Sequence, residues 1–261
     1  MSNYNKIATE ARKKVLEMIN RGKTSHIASN FSVIDIASVL YENLQKEDEV
    51  VWSAGWKAAT IYYFLAKQGK IPKEDLDKFP NEPYLGLAET SVPGVHVSGG
   101  SMGHGLPIAA GMALGKKLAG EKGNVYCIMS DGEMNEGTTW ETAAFAAHHK
   151  LDNLIVFVDK NKWQAMGRTE DVLNIKGVRE FEGFGWNGIE IDGHNHGEIE
   201  TVVTGQFTEF KTNNPKVIVA NTVKGKGVSF FEDHLLYHYK HVDDDEFKKA
   251  MAELNRASAD V

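Results

Sequence analysis

The chain has 261 residues, 42% of them hydrophobic, which is enough for one large core in one or two domains. A formal net charge of −7 argues against nucleic acid or an anionic membrane as the main partner. The single cysteine, Cys127, rules out an intrachain disulfide. Met1-Ser2-Asn3-Tyr4-Asn5-Lys6 opens without an apolar stretch, and no run reaches the ~18 apolar residues of a membrane span, so a cytoplasmic protein is expected.

Apolar residues at helical spacing over 7–19 predict a first helix, with Arg21-Gly22 as its stop. Thr24-Ser25-His26 follows as a loop before a second helix over 32–43. A histidine at such a junction is either structural or an available acid–base group. Residues 49–53 read as a short strand, Ala54-Gly55-Trp56 as a turn and 57–68 as a helix. Trp56 either packs in the core or shapes a pocket, since an indole donates one hydrogen bond and shuttles no proton. A short helix over 72–79 leads into the loop 81–93, which holds Leu85-Gly86-Leu87-Ala88. The glycine-rich loop Ser98-Gly99-Gly100-Ser101-Met102-Gly103-His104-Gly105 precedes a helix over 106–119. It is either turn chemistry or a nest of backbone N–H groups for phosphate.

Two apolar runs then bracket a helix. Val125-Tyr126-Cys127-Ile128-Met129 leads into Ser130-Asp131-Gly132-Glu133-Met134-Asn135-Glu136-Gly137 and a helical stretch over 138–149. Leu154-Ile155-Val156-Phe157-Val158 ends in Asp159-Lys160-Asn161-Lys162-Trp163. This is the pattern of a βαβ unit, and it predicts an α/β fold with a doubly wound, mostly parallel sheet flanked by helices. Asp131 and Asn161 then lie just past the carboxyl ends of two strands, the rim where open sheets bind ligands. Both side chains offer hard oxygen donors, suited to magnesium or calcium rather than zinc. Magnesium takes one or two carboxylates and completes its shell with phosphate and water. Gly132 permits close approach of an anion, and a helix beginning near Glu136 would turn its free N–H groups the same way. The stretch reads as a cradle for a magnesium diphosphate. A hairpin turn at Asp131-Gly132 is the competing reading, and it conflicts with the helical period that follows.

Residues 185–194 read as a strand and turn, 198–211 as a helix and 216–221 as a further strand. In Thr222-Val223-Lys224-Gly225-Lys226-Gly227 the lysines are either solvated or electrostatic partners of a phosphate. His234, His238 and His241 suggest zinc, but no cysteine or His-Glu-x-x-His frame accompanies them. An amphipathic terminal helix is expected over 243–257.

Asp131-Gly132, Glu136 five residues on and Asn161 thirty residues on resemble the thiamine diphosphate motif. Glu136-Gly137-Thr138-Thr139-Trp140-Glu141 is similar to transketolases in particular. Ser130 stands where the motif has glycine, a departure that leaves the ligands in place. The resemblance spans nearly the whole chain and implies the N-terminal half of a split transketolase. On that basis residues 1–261 form one diphosphate-binding domain. The pyrimidine-binding domain and its activating glutamate are expected on a C-terminal partner subunit, in an α2β2 heterotetramer.

The resemblance also implies thiamine diphosphate as cofactor, with Mg2+ or Ca2+ held by Asp131, Asn161 and the Trp163 carbonyl. It assigns cofactor contacts to Gly100, Met102, His104, Asp131, Gly132, Glu133, Asn161, Ala165 and His238. Catalytic roles fall to His26, to His238 within Tyr237-His238, and to Glu136 in a carboxylate network across the subunit interface. Trp56 and Leu87 stand where the family carries histidines, and His104 replaces a glutamine. The implied reaction moves a two-carbon ketol unit from a ketose to an aldose, with sugars or sugar phosphates as substrates. A thiamine-dependent 2-oxo acid decarboxylase or acyl-transfer subunit is the alternative. A non-catalytic binding protein that has kept the fold is a third reading.

Overall fold

The structure is a computed structural model and describes residues 4–206, 210 and 213–259. Five strands, β1 (Glu49–Trp52), β2 (Val125–Ser130), β3 (Leu154–Lys160), β4 (Asn187–Asp192) and β5 (Lys216–Asn221), make one sheet in the order β1-β2-β3-β5-β4. Every neighbouring pair is parallel. Parallel strands require long crossovers, and helices supply them on both faces. Tyr126, Ile128, Ile155, Phe157 and Ile218 pack on one face with α1 (Tyr4–Gly22), α2 (Ile27–Ser32), α3 (Ile34–Asn43) and α4 (Ala58–Lys67). Cys127, Met129, Val156, Val158 and Val219 pack on the other with α5 (Gly105–Ala119) and α6 (Gly137–His148). This double cover explains why the central strands read as unbroken apolar runs rather than as alternation.

The remaining helices are α7 (Thr169–Val172), α8 (Val178–Gly183), α9 (His196–Val203) and α10 (Asp244–Ala259). Periodicity gave no sign of the short α7 and α8. The helix expected over 198–211 is α9, which ends sooner; of its expected length, 207–209 and 211 lie outside the described residues. The segment 72–79 is a 3-10 helix, Lys73–Lys78. The helix expected from 32 begins earlier and in two pieces, α2 and α3. The polar side chains of α2 hid it, because they turn inward: Ser32 Oγ donates to Asp159 Oδ2 at 2.6 Å, and Asn30 Oδ1 accepts the Thr60 N–H at 3.0 Å. A 3-10 turn, Asp131–Asn135, intervenes between β2 and α6, so the first N–H groups past the strand belong to that turn. Among the described residues no helix is long and apolar enough to cross a membrane.

The β2–β3 register pairs Ser130 with Asp159. Asp131 and Asn161 therefore leave neighbouring strands at the same, carboxyl edge of the sheet.

Candidate active site

At that edge lies a cavity of about 360 Å3. Its wall includes His26, Trp56, Gly100, Met102, Asp131, Gly132, Asn161, Gln164, Ala165 and His238, with Leu87, Trp163, Met166 and Tyr239 at its apolar parts. A larger cavity, about 710 Å3, opens at the opposite, amino edge beside Asp152 and Lys216. That end of a parallel sheet is not where ligands gather. The larger space is walled partly by Phe210 and Asn213, whose neighbours at 207–209 and 211–212 lie outside the described residues.

Asp131 is 1% exposed. Its Oδ2 accepts from the Lys162 N–H at 3.0 Å and Thr169 Oγ1 at 2.9 Å, and Oδ1 accepts from the Gly132 N–H at 3.0 Å. Burial, reinforced by the nearby Asp159 carboxylate, pushes the Asp131 carboxyl up to about 6. A divalent cation would relieve that penalty. Asn161 Oδ1 accepts the Trp163 N–H at 3.2 Å, while Nδ2 donates to Asp159 Oδ2 at 3.2 Å. Gln164 reaches the same wall, and its Nε2 is buried with no hydrogen-bond partner in the protein. A buried donor without an acceptor costs about 1–3 kcal/mol. Two hard oxygen donors, one of them a carboxylate that burial makes costly without a cation, and the Gly132 backbone on the same wall fit a metal-bound diphosphate.

The glycine-rich loop is held by contacts that exclude side chains. A Cβ on Gly55 would stand 2.4 Å from the Gly99 Cα, so the turn after β1 and this loop touch backbone to backbone. That approach brings Gly100 and Met102 onto the cavity wall. Glu133, expected to meet the cofactor, is instead fully buried behind the loop. Its Oε1 accepts from Ser53 Oγ and from the Gly103 N–H at 3.1 Å, and its Oε2 accepts from the Ser130 N–H at 2.8 Å. It therefore ties the glycine loop to the end of β2 and does not line the cavity. Neither does His104, which is exposed at the start of α5, nor Glu136, half-buried at the start of α6. Gly103, just before His104, takes the left-handed φ of 76.

His26 and His238 meet on the opposite wall, their rings 5.1 Å apart and edge to face. The His26 N–H donates to the His238 carbonyl at 3.0 Å, and Ser25 Oγ lies 2.7 Å from His26 Nδ1. Lys224 Nζ donates to His238 Nδ1 at 2.7 Å. Burial, then the charges of Lys224 and Lys57, lower His26 to about 4; burial and Lys224 lower His238 to about 3. Both imidazoles are neutral at pH 7, and His238, with Nδ1 accepting, carries its proton on Nε2. Burial and Lys57 in turn lower Lys224 to about 8.

The segment after Asn161 is pinned to the loop before His238. Trp163 Nε1 donates to Asp233 Oδ1 at 2.6 Å. Arg168 grips the same carboxylate with both terminal nitrogens, at 2.8 and 2.7 Å, and stacks 4.1 Å over the Trp163 ring. His234 Nδ1 accepts the Leu236 N–H, and no cluster of three or more His, Cys, Asp or Glu suited to a metal occurs among the described residues. Sequence reasoning missed Gln164, Lys57 and Asp159. Only their proximity to Trp56 and Asn161 in the chain could have flagged them.

A family profile described as "Transketolase, thiamine diphosphate binding domain" matches residues 4–258. The chain is 34% identical over 261 residues to an apulose-4-phosphate transketolase subunit of Actinobacillus succinogenes, covering 93% of this chain and 92% of that one. It is 34% identical over 267 residues to 6-deoxy-6-sulfo-D-fructose transketolase subunit SqwG of Clostridium sp. (strain MSTE9), covering 97% and 96%. The solved transketolase of Campylobacter jejuni superimposes with a TM-score of 0.90 at 26% identity; the match covers 98% of this chain but 43% of that one. The chain thus spans less than half the length of the solved transketolases it matches. The fold and site define a thiamine diphosphate-binding domain of the α/β class. The chain belongs to the transketolase family. It is a transferase subunit of the ketol-transferring, thiamine diphosphate-dependent type.

Proposed function

We propose that this subunit holds a magnesium–thiamine diphosphate between Asp131 and Asn161 and acts with a C-terminal partner subunit that brings the pyrimidine-binding domain. The observation that carries the reading is the placement of those two oxygen donors after adjacent parallel strands, facing one cavity. Relatives of near-equal length that are themselves named as transketolase subunits support a separate partner; two copies of each chain are the assembly we propose. The buried free Cys127 fits a reducing cytoplasm.

When bound, thiamine diphosphate supplies a nucleophilic carbon that carries the two-carbon unit between sugars. The chain's own groups bind and orient. Asp131, Asn161 and the Trp163 carbonyl would hold the ion, and the Gly132 and Gly100 backbone would serve the diphosphate. Met102, Gln164 and Ala165 line the cavity where they would meet the cofactor's rings. His26 and His238, neutral and adjacent, hold or pass protons at substrate oxygens. Glu136 joins carboxylates of the partner across the interface. Glu133 acts indirectly, by tying the glycine loop to the end of β2.

The substrates are a ketose donor and an aldose acceptor, as sugars or sugar phosphates. A second reading, a 2-oxo acid decarboxylase or acyl-transfer subunit, is favoured by the apolar wall of Trp56, Leu87, Met166 and Tyr239. The reconstituted two-subunit enzyme, offered xylulose phosphate or pyruvate, decides between them by which donor disappears. Consumption of pyruvate alone would overturn the ketol-transfer reading. Absence of magnesium-dependent cofactor uptake with the partner present would point to a non-catalytic binding protein.

A further inference from the structure

We propose that Asp159, paired with the buried Lys57, is a positioning residue that fixes which way the Asn161 amide faces, turning its oxygen rather than its nitrogen to the ion. The inference rests on the reading of Asp131 and Asn161 as ion ligands.

Asp159 and Lys57 are both 0% exposed, and their charged atoms lie 2.6 Å apart. Asp159 Oδ2 also accepts from Ser32 Oγ at 2.6 Å and Asn161 Nδ2 at 3.2 Å, and Oδ1 accepts from Thr222 Oγ1. Lys57 is held in turn by the Ser29 carbonyl at 2.7 Å. Each of these partners of Asp159 is a donor, so the carboxylate serves purely as an acceptor.

An amide has a donor end and an acceptor end. Asp159 is the last but one residue of β3 and lies two residues before Asn161, which puts both side chains on the same side of the chain as it leaves the sheet. With an ionised carboxylate on one side, a flipped Asn161 would set its oxygen against Asp159 Oδ2, acceptor to acceptor, in a buried place. The nitrogen therefore stays with Asp159. The oxygen is left for the cavity, where it already receives the Trp163 N–H. Lys57 matters because its ammonium lies 2.6 Å from the same Oδ2 that receives Asn161 Nδ2, and so holds that oxygen in place as an acceptor; removing it would leave a buried carboxylate without its ion-pair partner. The ligand set alone does not single out Lys57, which follows Trp56 in a 3-10 turn on a different strand's exit.

The test titrates thiamine diphosphate calorimetrically into the full chain combined with its partner, at several magnesium concentrations, with thermal melts of each metal-free variant alongside. Asn161→Asp gives magnesium a carboxylate, the better ligand if taken alone, yet here acid would face acid. The expected result is magnesium affinity reduced by about tenfold or more, in the range seen when outer-shell partners are lost. The exchange variant D159N/N161D restores one acid and one amide in reversed order, and should recover to within about threefold of wild type. Lys57→Met should weaken magnesium by about tenfold, whereas Ser32→Ala, which removes a neutral donor, should stay within about threefold. Wild-type affinity in Asn161→Asp, or in Lys57→Met, would overturn the inference. So would an exchange variant that melts like wild type without regaining magnesium. Should the exchange variant fail to fold, the Lys57→Met and Ser32→Ala pair decides alone. Asp131→Asn serves as the separate control: if wild-type uptake is magnesium-independent, or Asp131→Asn leaves it unchanged, the ligand reading itself has fallen, and this inference with it.

Discussion

The ammonium of Lys224 donates to Nδ1 of His238 across 2.7 Å, so a cation buried behind the cavity sets the tautomer of a histidine on its wall. That cation is only partly secured, because burial and Lys57 lower it to about 8. Its charge favours a diphosphate, and an anion nearby raises its pKa in the complex. Cofactor affinity should therefore be flat between about pH 7 and 8, where Asp131 is ionised, and fall as the pH rises above 8. Lys224→Met should bind more weakly at pH 7.5 and show no such alkaline decline. Titrations from pH 7 to 9.5 check both; a flat wild-type profile would contradict the assignment.

Acid acts on the two histidines. Their folded values, about 4 and about 3, lie below the ordinary value of 6.5, so below pH 6.5 the unfolded chain takes up protons first. Both histidines thus lower stability as the pH falls from 6.5 towards 4. Asp131 and Glu133, with raised values, oppose them over part of that range. Removing one histidine should therefore flatten the acid loss. His238→Gln should lose less stability than wild type between pH 7 and 5 in urea unfolding of the cofactor-free chain.

Gly55→Ala tests the contact between two backbones. The new Cβ would meet Gly99 Cα at 2.4 Å, and backbone on both sides cannot rotate away. A loss of about 1–3 kcal/mol is expected in urea unfolding, with weaker cofactor binding because Gly100 shifts with the loop.

Asp233→Asn releases the Arg168 clamp. Asp233 and Arg168 side chains are 51% and 33% exposed, and such pairs contribute about 1 kcal/mol or less. Global stability should barely move. Trypsin should nonetheless cut faster after Lys162 or Arg168, because the segment carrying Trp163 loses its tether to the loop before His238. Unchanged cleavage would remove the tethering role.

The βαβ unit and its two strand-end oxygen donors were legible because apolar runs and a helical period mark strands and helices unambiguously there. Sheet order was not. Nothing in hydrophobic pattern says that β5 lies between β3 and β4. Lys57 and Asp159 escaped notice because charged residues ordinarily sit on the surface, and only a paired, hydrogen-bonded geometry permits both at 0% exposure. The burial of Glu133 was hidden for a related reason. Its neighbours in the motif face the cavity, but the 3-10 turn Asp131–Asn135 rotates its side chain inward to cap Ser130 and hold Gly103.

The central claim is an ion gripped by Asp131 and Asn161 beneath a diphosphate. Calorimetric titration of thiamine diphosphate into the chain with its partner, with and without magnesium, addresses it directly in wild type and Asp131→Asn. The account predicts tight binding only with magnesium in wild type, and a loss of about a hundredfold or more in a variant whose melting shows it folded, the scale of 10–100-fold losses from outer-shell partners being a lower guide. Equal binding by the two proteins, or wild-type binding indifferent to magnesium, would contradict it.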